Sequence, residues 1–92
     1  MNRLPITHVA IRFMGKVFSL PKPNRHHDVI RMIVEQTAGV KTVDAHGEDQ
    51  GFLDSSGRYL NRKQALGSAL LYKQVINENN IRYRMLFSED IW

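Results

Sequence analysis

The alternation of apolar and polar residues near the start of the chain predicts a β-hairpin. Residues 6–13 alternate in part and are rich in β-branched side chains, which favours a strand. The Met-Gly pair at 14–15 predicts a tight turn, and residues 16–20 predict the returning strand. Pro21 and Pro23 lack a backbone N–H, so we expect the strand pairing to end there.

A first helix is predicted near residues 27–38. Its apolar stripe repeats with helical spacing, and Gly39 lies where a helix commonly stops. Asn24 or Asp28 can cap or favour its first turn. The stripe consists of Val29, Ile30, Ile33, Val34 and Thr37.

A second hairpin and a second helix are predicted in the other half of the chain. Residues 51–53 and 58–60 are short apolar segments joined by Asp-Ser-Ser-Gly, a turn sequence. Asn61 followed by Gln64 predicts a capping box and therefore a helix near residues 62–74.

Two less regular segments are also predicted to be extended. Ile81, Tyr83 and Met85 alternate with arginines, which predicts one more strand or extended segment. Residues 41–44 allow a short strand within an acidic loop.

These elements predict an α+β fold in a single domain covering residues 1–92. The expected order is roughly ββαββαβ, with an antiparallel sheet built from the two hairpins and with two helices packed on it. The expected core residues are Val9, Ile11, Val17, Ile30, Ile33, Val34, Phe52, Leu60, Leu66, Ala69 and Leu70.

Composition narrows the class of protein. The chain has 42% hydrophobic and 24% charged residues, which is typical of a globular domain. It has no cysteine, which excludes disulfides and thiolate chemistry. No apolar run approaches the ~20 residues of a membrane span, and no signal peptide follows Met1. We therefore expect a cytoplasmic protein with no membrane partner.

The positive charge is unevenly distributed. Residues 1–27 carry five basic and no acidic side chains, and residues 58–84 carry six basic side chains and one acid. If the two stretches meet in space, they form a face suited to phosphates or to an acidic protein. The alternative is a mildly basic surface that only maintains solubility.

The first candidate site lies at the start of the first predicted helix, where His26, His27 and Asp28 follow Arg25. Three interpretations are open: the residues cap the helix, they hold an anion at its N-terminus, or a histidine oriented by Asp28 acts as a general acid or base. Two-histidine chelation is disfavoured, because adjacent helical positions face different ways.

The second candidate group combines four arginines with nearby aromatic residues, the mixture on which a nucleotide or a single strand stacks and pairs. Each residue taken singly could also belong to the core or to a solvated face. We expect no cofactor and no metal, because the acidic residues between 44 and 54 lack the spacing of a calcium loop. The four arginines are Arg58, Arg62, Arg82 and Arg84.

Three segments together resemble a group of small, mostly uncharacterised phage and prophage proteins. They are the His-His-Asp helix start at 25–30, the Gly-Phe-Leu hairpin with its following helix at 50–65, and the closing Ser-Glu-Asp-Ile-Trp within 86–92, where Ile91 replaces the usual Leu. The resemblance implies an accessory protein made in an infected bacterial cell, and it brings no established activity. The matching positions are His26, His27, Asp28, Gln50, Gly51, Phe52, Arg62 and Trp92.

We expect a non-enzymatic binder of an anionic, nucleotide-like or phosphorylated ligand that counters host defence. The alternatives are an inhibitor that binds a host protein or a nucleic-acid-handling enzyme through the basic face, and a small histidine-dependent phosphodiesterase-like enzyme. Nucleic acid itself is a further candidate partner. We also expect a homo-oligomer to which residues 86–92 contribute, because small cores are often completed by an interface.

Overall fold

The computed structural model describes residues 3–37, 39–40 and 49–92. In this part of the chain, four strands form one antiparallel sheet in the order β2-β1-β3-β4, and two helices pack against it. The α+β class and both hairpins are thus confirmed. The elements are β1 (Ile6–Phe13), β2 (Lys16–Pro21), α1 (His26–Gln36), β3 (Gln50–Asp54), β4 (Tyr59–Asn61) and α2 (Arg62–Leu71), followed by two short 3₁₀ turns, Glu78–Asn80 and Ser88–Asp90. The strand expected at 41–44 lies outside the described residues.

The β1–β2 turn has the geometry that its two residues favour. Met14 and Gly15 both have positive φ, at 53° and 77°, as a type I′ turn requires. This turn type matches the right-handed twist of the paired strands, and it fixes the register in which Phe13 pairs with Lys16.

Both helices cover the same face of the sheet. Val9, Phe52 and Leu60 are directly opposed across three strands, so they share that face, and they are buried together with Ile33 of α1 and Ala65 of α2. Among the residues expected in the core, six are buried and Ile30, Val34 and Leu66 are partly buried. The six are Val9, Ile11, Ile33, Phe52, Leu60 and Ala69.

The prediction of a core position is wrong for two residues. Val17 is 46% exposed, because strand alternation places it on the face that carries no helix. Leu70 is 42% exposed, because α2 buries positions 65, 68 and 69 instead. A stripe that begins at Ala65 reaches Ser68 and Ala69 but not Leu70.

Helix α2 ends at Leu71, three residues before the expected end at 74. The main-chain N–H of Gln74 donates to the Ala69 carbonyl at 2.8 Å, and that of Lys73 donates to the Leu70 carbonyl at 3.2 Å. These two bonds form a Schellman motif. It holds Lys73 in the left-handed region, with φ of 54°, a position that usually belongs to glycine.

The last predicted strand is not formed. Tyr83 and Arg84 have positive φ, at 59° and 53°, and the segment makes a tight turn closed by an isolated bridge between Arg82 and Met85. The alternation of apolar residues and arginines therefore reflects a turn rather than an extended strand.

Candidate functional site

Residues 86–92, here called the tail, fold back onto the start of α1. Leu86 and Ile91 are buried in the core. The indole Nε1 of Trp92 donates to the Asn24 carbonyl at 2.6 Å, and a guanidinium N–H of Arg25 donates to the main-chain oxygen of Trp92 at 2.5 Å. The tail is thus held by its own domain at the helix that carries the His-His-Asp sequence.

His26 lies inside the structure beneath the tail. It is buried, and its Nε2–H donates to the Gly51 carbonyl at 2.7 Å, while its ring meets the Phe52 ring edge-on at 5.1 Å. Burial lowers the pKa of His26 to about 4, and the nearby charge of Arg62 acts in the same direction. His26 is therefore neutral at pH 7 and joins α1 to β3.

Its neighbours in the sequence have different roles. Asp28 accepts a hydrogen bond from the main-chain N–H of Arg25 at 2.8 Å, which confirms that Asp28 helps to cap α1. The side chain of His27 is 66% exposed, and its Nε2 lies 3.4 Å from Asp28. Of the two histidines, only His27 is placed to meet a molecule from solvent.

Arg62, the first residue of α2, is a partly buried cation. Its Nη2 donates to the side-chain oxygen of Gln50 at 2.8 Å, and its guanidinium lies 4.4 Å from the centre of the Phe87 ring. Burial lowers the pKa of Arg62, and the Glu89 carboxylate acts in the opposite direction. Its Nε–H is buried, and none of the described groups accepts it.

Arg82 approaches the same aromatic ring. Its guanidinium is 5.2 Å from the centre of Phe87, and its Nη2 lies 3.5 Å from Glu89, with both side chains 59% exposed. We call Arg62 and Arg82 the arginine pair. Beside Arg82 lies a depression of about 450 Å³ that Asn79, Asn80, Arg82, Glu89 and Asp90 line.

The other arginines proposed from the sequence lie elsewhere. The Nε of Arg58 is 3.4 Å from the buried carboxylate of Asp54, which belongs to the β3–β4 turn. Arg25 holds the tail, as described above. Arg84 follows Tyr83 in the turn after Arg82 and forms no hydrogen bond or ion pair with any described residue.

Phe87 was not predicted from the sequence as part of a site. It lies in the tail, and its contacts with the arginine pair exist only because the tail returns to the start of α2. The main-chain N–H of Leu86 donates to the Arg62 carbonyl at 3.0 Å, which anchors this return. A single aromatic residue in an irregular segment carries no periodic signal that would reveal such a contact.

The described part of the chain has no group of three side chains that could together hold a metal ion. Residues 44–48 of the acidic stretch considered above lie outside the described ranges. Within those ranges, every helix is too short or too polar to cross a membrane.

The fold and the site define a small α+β domain in which a docked tail brings an aromatic ring to two arginines. Residues 5–92 match the model of the phage T4 y16D protein family. The chain belongs to that family and is a small phage protein, in agreement with the resemblance found in the sequence. No curated protein and no solved structure matches the chain significantly.

Proposed function

We propose that this phage protein is a non-enzymatic accessory protein that binds an anionic, nucleotide-like or phosphorylated ligand at the arginine pair. The observation that supports the proposal is the state of Arg62. Its guanidinium is partly buried, forms no ion pair with a described acid, and has a buried Nε–H that no described group accepts. A partly desolvated cation is costly, the Glu89 carboxylate offsets only part of that cost, and a bound anion would offset more of it.

The surroundings of Arg62 fit a phosphate better than a neutral ligand. Arg82 is a second guanidinium at the same ring, and planar guanidiniums bind phosphate oxygens through paired hydrogen bonds. The Glu89 side chain that contacts Arg82 is exposed, so a phosphate could displace it from Arg82 without disturbing the core. In an infected bacterial cell, such a site would sequester a nucleotide-like signal of the host defence.

Of the eight residues that the sequence suggests for ligand binding, only some lie at the arginine pair. Arg62 and Arg82 make the primary contacts, and Arg84 is near enough in the chain to contact a longer ligand. Arg25, His26 and Asp28 support the site indirectly, because they hold the tail and the start of α1 in place. His27 is exposed beside Asp28, and Arg58 pairs with Asp54 in the β3–β4 turn, so neither is given a ligand contact in this proposal.

The experiment is calorimetry with inorganic phosphate, mononucleotides, cyclic nucleotides and short oligonucleotides at two salt concentrations. We expect at least one phosphate compound to bind. We expect Arg82→Met to weaken it roughly tenfold to a hundredfold, because a charge-assisted hydrogen bond contributes about 1.5–3 kcal/mol. Arg82 is exposed, so its replacement should leave the fold intact.

The matched control is Arg31→Met. Arg31 is 67% exposed on α1 and lies 3.8 Å from Asp28, so this variant loses the same charge away from the arginine pair. An equal loss of binding in both variants would show that only the net charge matters, and it would refute the site. Failure of every compound to bind would refute the function, and turnover of a compound would establish the enzyme alternative.

Inhibition of a host protein is the second candidate function, and a separate surface favours it. The end of α2 and the following loop expose four large apolar side chains, a grouping that often marks a protein-binding surface. A double Leu71→Ser, Ile76→Ser variant that keeps phosphate binding but loses capture of a bacterial protein would establish this alternative. The four residues are Leu70, Leu71, Tyr72 and Ile76.

A further inference from the structure

Among the described residues, no strand lies beside the outer edge of β2. This strand is the first in the order β2-β1-β3-β4 and pairs with β1 alone in the described part of the chain. The two-residue turn makes Lys16 a hydrogen-bonded partner of β1, so Phe18 and Leu20 are also bonded to β1. The Lys22 N–H donates to the Thr7 carbonyl at 3.2 Å, so Lys22 continues the series of alternate residues that bond to β1.

The alternate residues of β2 therefore direct their main-chain groups away from the sheet. Val17 and Ser19 each present one N–H and one carbonyl outward, and no described residue pairs with these groups.

We propose that a second copy of this chain pairs with β2, so that two sheets join edge to edge about a twofold axis. The strands run antiparallel, with Val17 opposite Ser19 of the second copy and with Phe18 opposite Phe18 at the axis. The outward N–H and carbonyl groups of Val17 and Ser19 are then paired in both copies, in four hydrogen bonds. This surface is distinct from the tail, which packs into its own domain.

The structure selects this register over its neighbours. A shift toward Pro21 would need the Pro21 carbonyl, which already accepts hydrogen bonds from the main chain and the side chain of Asn24, at 3.1 and 2.8 Å. Pro21 also has no N–H to offer. A shift the other way brings Ser19 opposite Gly15, which lies in the turn and cannot extend a ladder.

The side chains of β2 suit the same pairing. Phe18 and Leu20 pack against the core but remain only partly buried at the edge of the sheet. The twofold axis places the two Phe18 rings side by side on the face that the helices cover, and it places Leu20 opposite Lys16 of the second copy. Joining the sheets thus extends the core without bringing two lysines together.

The test is the mass of the protein in solution, measured by light scattering and sedimentation over a wide concentration range. We expect the wild type to reach twice 10.7 kDa and Ser19→Pro to remain a monomer, because the proline removes an outward N–H without removing a bond to β1. Ser19→Thr is the matched control, since it keeps the N–H, and it should remain a dimer. Circular dichroism checks that each variant is folded.

Cysteine cross-linking tests the register independently of the proline variant. The chain has no cysteine, so a single Phe18→Cys is expected to form a disulfide-linked dimer under mild oxidation. Val17→Cys should not, because the two Val17 positions are diagonal neighbours about 7–8 Å apart, beyond the usual reach of a disulfide. A wild type that stays monomeric at every concentration, a dimeric Ser19→Pro, or equal cross-linking of both cysteine variants would each overturn the proposal.

Discussion

Lowering the pH from 7 to 4 should destabilise the protein mainly through His26. Burial of its imidazole and the nearby cation of Arg62 lower the pKa in the folded state from the usual 6.5 to about 4, although the hydrogen bond to the Gly51 carbonyl acts in the opposite direction. The unfolded chain therefore binds more protons than the folded chain between these two pH values. The contribution of His26 to the free energy of unfolding is therefore fully present above pH 6.5, and it is lost as the pH decreases toward 4.

The difference between the two pKa values sets the magnitude. Each pKa unit corresponds to about 1.4 kcal/mol, so protonation of His26 should remove about 3 kcal/mol. A small domain is stable by only about 5–15 kcal/mol. The loss should therefore be evident in urea denaturation midpoints measured at steps of about half a pH unit, from roughly pH 7.5 to pH 4.

A pair of variants separates His26 from the other titrating groups. In the His26→Gln variant, the new side-chain amide can still donate an N–H to the Gly51 carbonyl but cannot gain a proton, so the variant should lose the part of the pH dependence that His26 causes between pH 6.5 and 4. The His27→Gln variant changes an exposed side chain, and it should keep the pH dependence of the wild type. Acidic residues contribute equally to all three proteins, so the comparison isolates the imidazole.

Two results would refute the reasoning. One is an unchanged pH dependence in His26→Gln. The other is an NMR titration in which the His26 ring protonates near its ordinary pKa of 6.5, because burial and the nearby Arg62 cation should keep the ring neutral well below that value.

Three further predictions concern stability and are checked by thermal or urea denaturation. Burial of Asp54 acts to raise its pKa, but hydrogen bonds from Ser56 and Arg58 outweigh burial and lower the pKa. The stabilisation by the Asp54 carboxylate is therefore present above its ordinary pKa and is lost as the pH falls through the folded-state value. Asp54→Ala should cost about 2 kcal/mol of stability at pH 7, and Asp54→Asn should cost less than Asp54→Ala. Lys73→Gly should stabilise the protein by about 1 kcal/mol, because φ at Lys73 is 54°, and an unchanged midpoint would contradict this. Gln74→Ala should destabilise it by about 2 kcal/mol, because the Gln74 amide accepts from the Ile6 N–H at 2.8 Å and donates to the Ile6 carbonyl at 2.9 Å. Gln74→Glu should also be destabilising at pH 7, because its carboxylate cannot donate to the Ile6 carbonyl and repels it.

Local signals in the sequence predicted most of the secondary structure. The capping box is an example: Asn61 accepts from the Gln64 N–H at 2.9 Å, and Gln64 accepts from the Asn61 N–H at 3.0 Å. Such motifs act within one turn of chain, so residue type and spacing are sufficient to find them. The end of α2 was harder, because Lys73 takes a conformation that its residue type does not favour.

The candidate site depends on contacts between distant segments, and these were not predictable. Periodicity suggested a strand near Arg82, whereas a turn forms there. The joining of Arg62, Arg82 and Phe87 depends on the path of the tail, which many weak contacts determine together. The sequence therefore predicted two of the arginines as candidates but not the ring that brings them together.

The residues that carry the family resemblance meet in the structure. His26 bonds Gly51, Arg62 bonds Gln50, and the Phe52 ring lies between His26 and Trp92, with centroid distances of 5.1 and 6.4 Å. Three segments far apart in the chain thus meet, and α1, β3 and the tail support one another there. The residues of these three segments therefore have a structural role in the fold.

The structural role of these residues determines which variants can test the function. A replacement of His26 or Arg62 would disturb the contacts between α1, β3, α2 and the tail, so a loss of binding in either variant could come from misfolding. Arg82 is exposed and lies outside this set of contacts, although it shares the Phe87 ring with Arg62. Binding that depends on Arg82 but not on Arg31 therefore separates a ligand site from a structural motif.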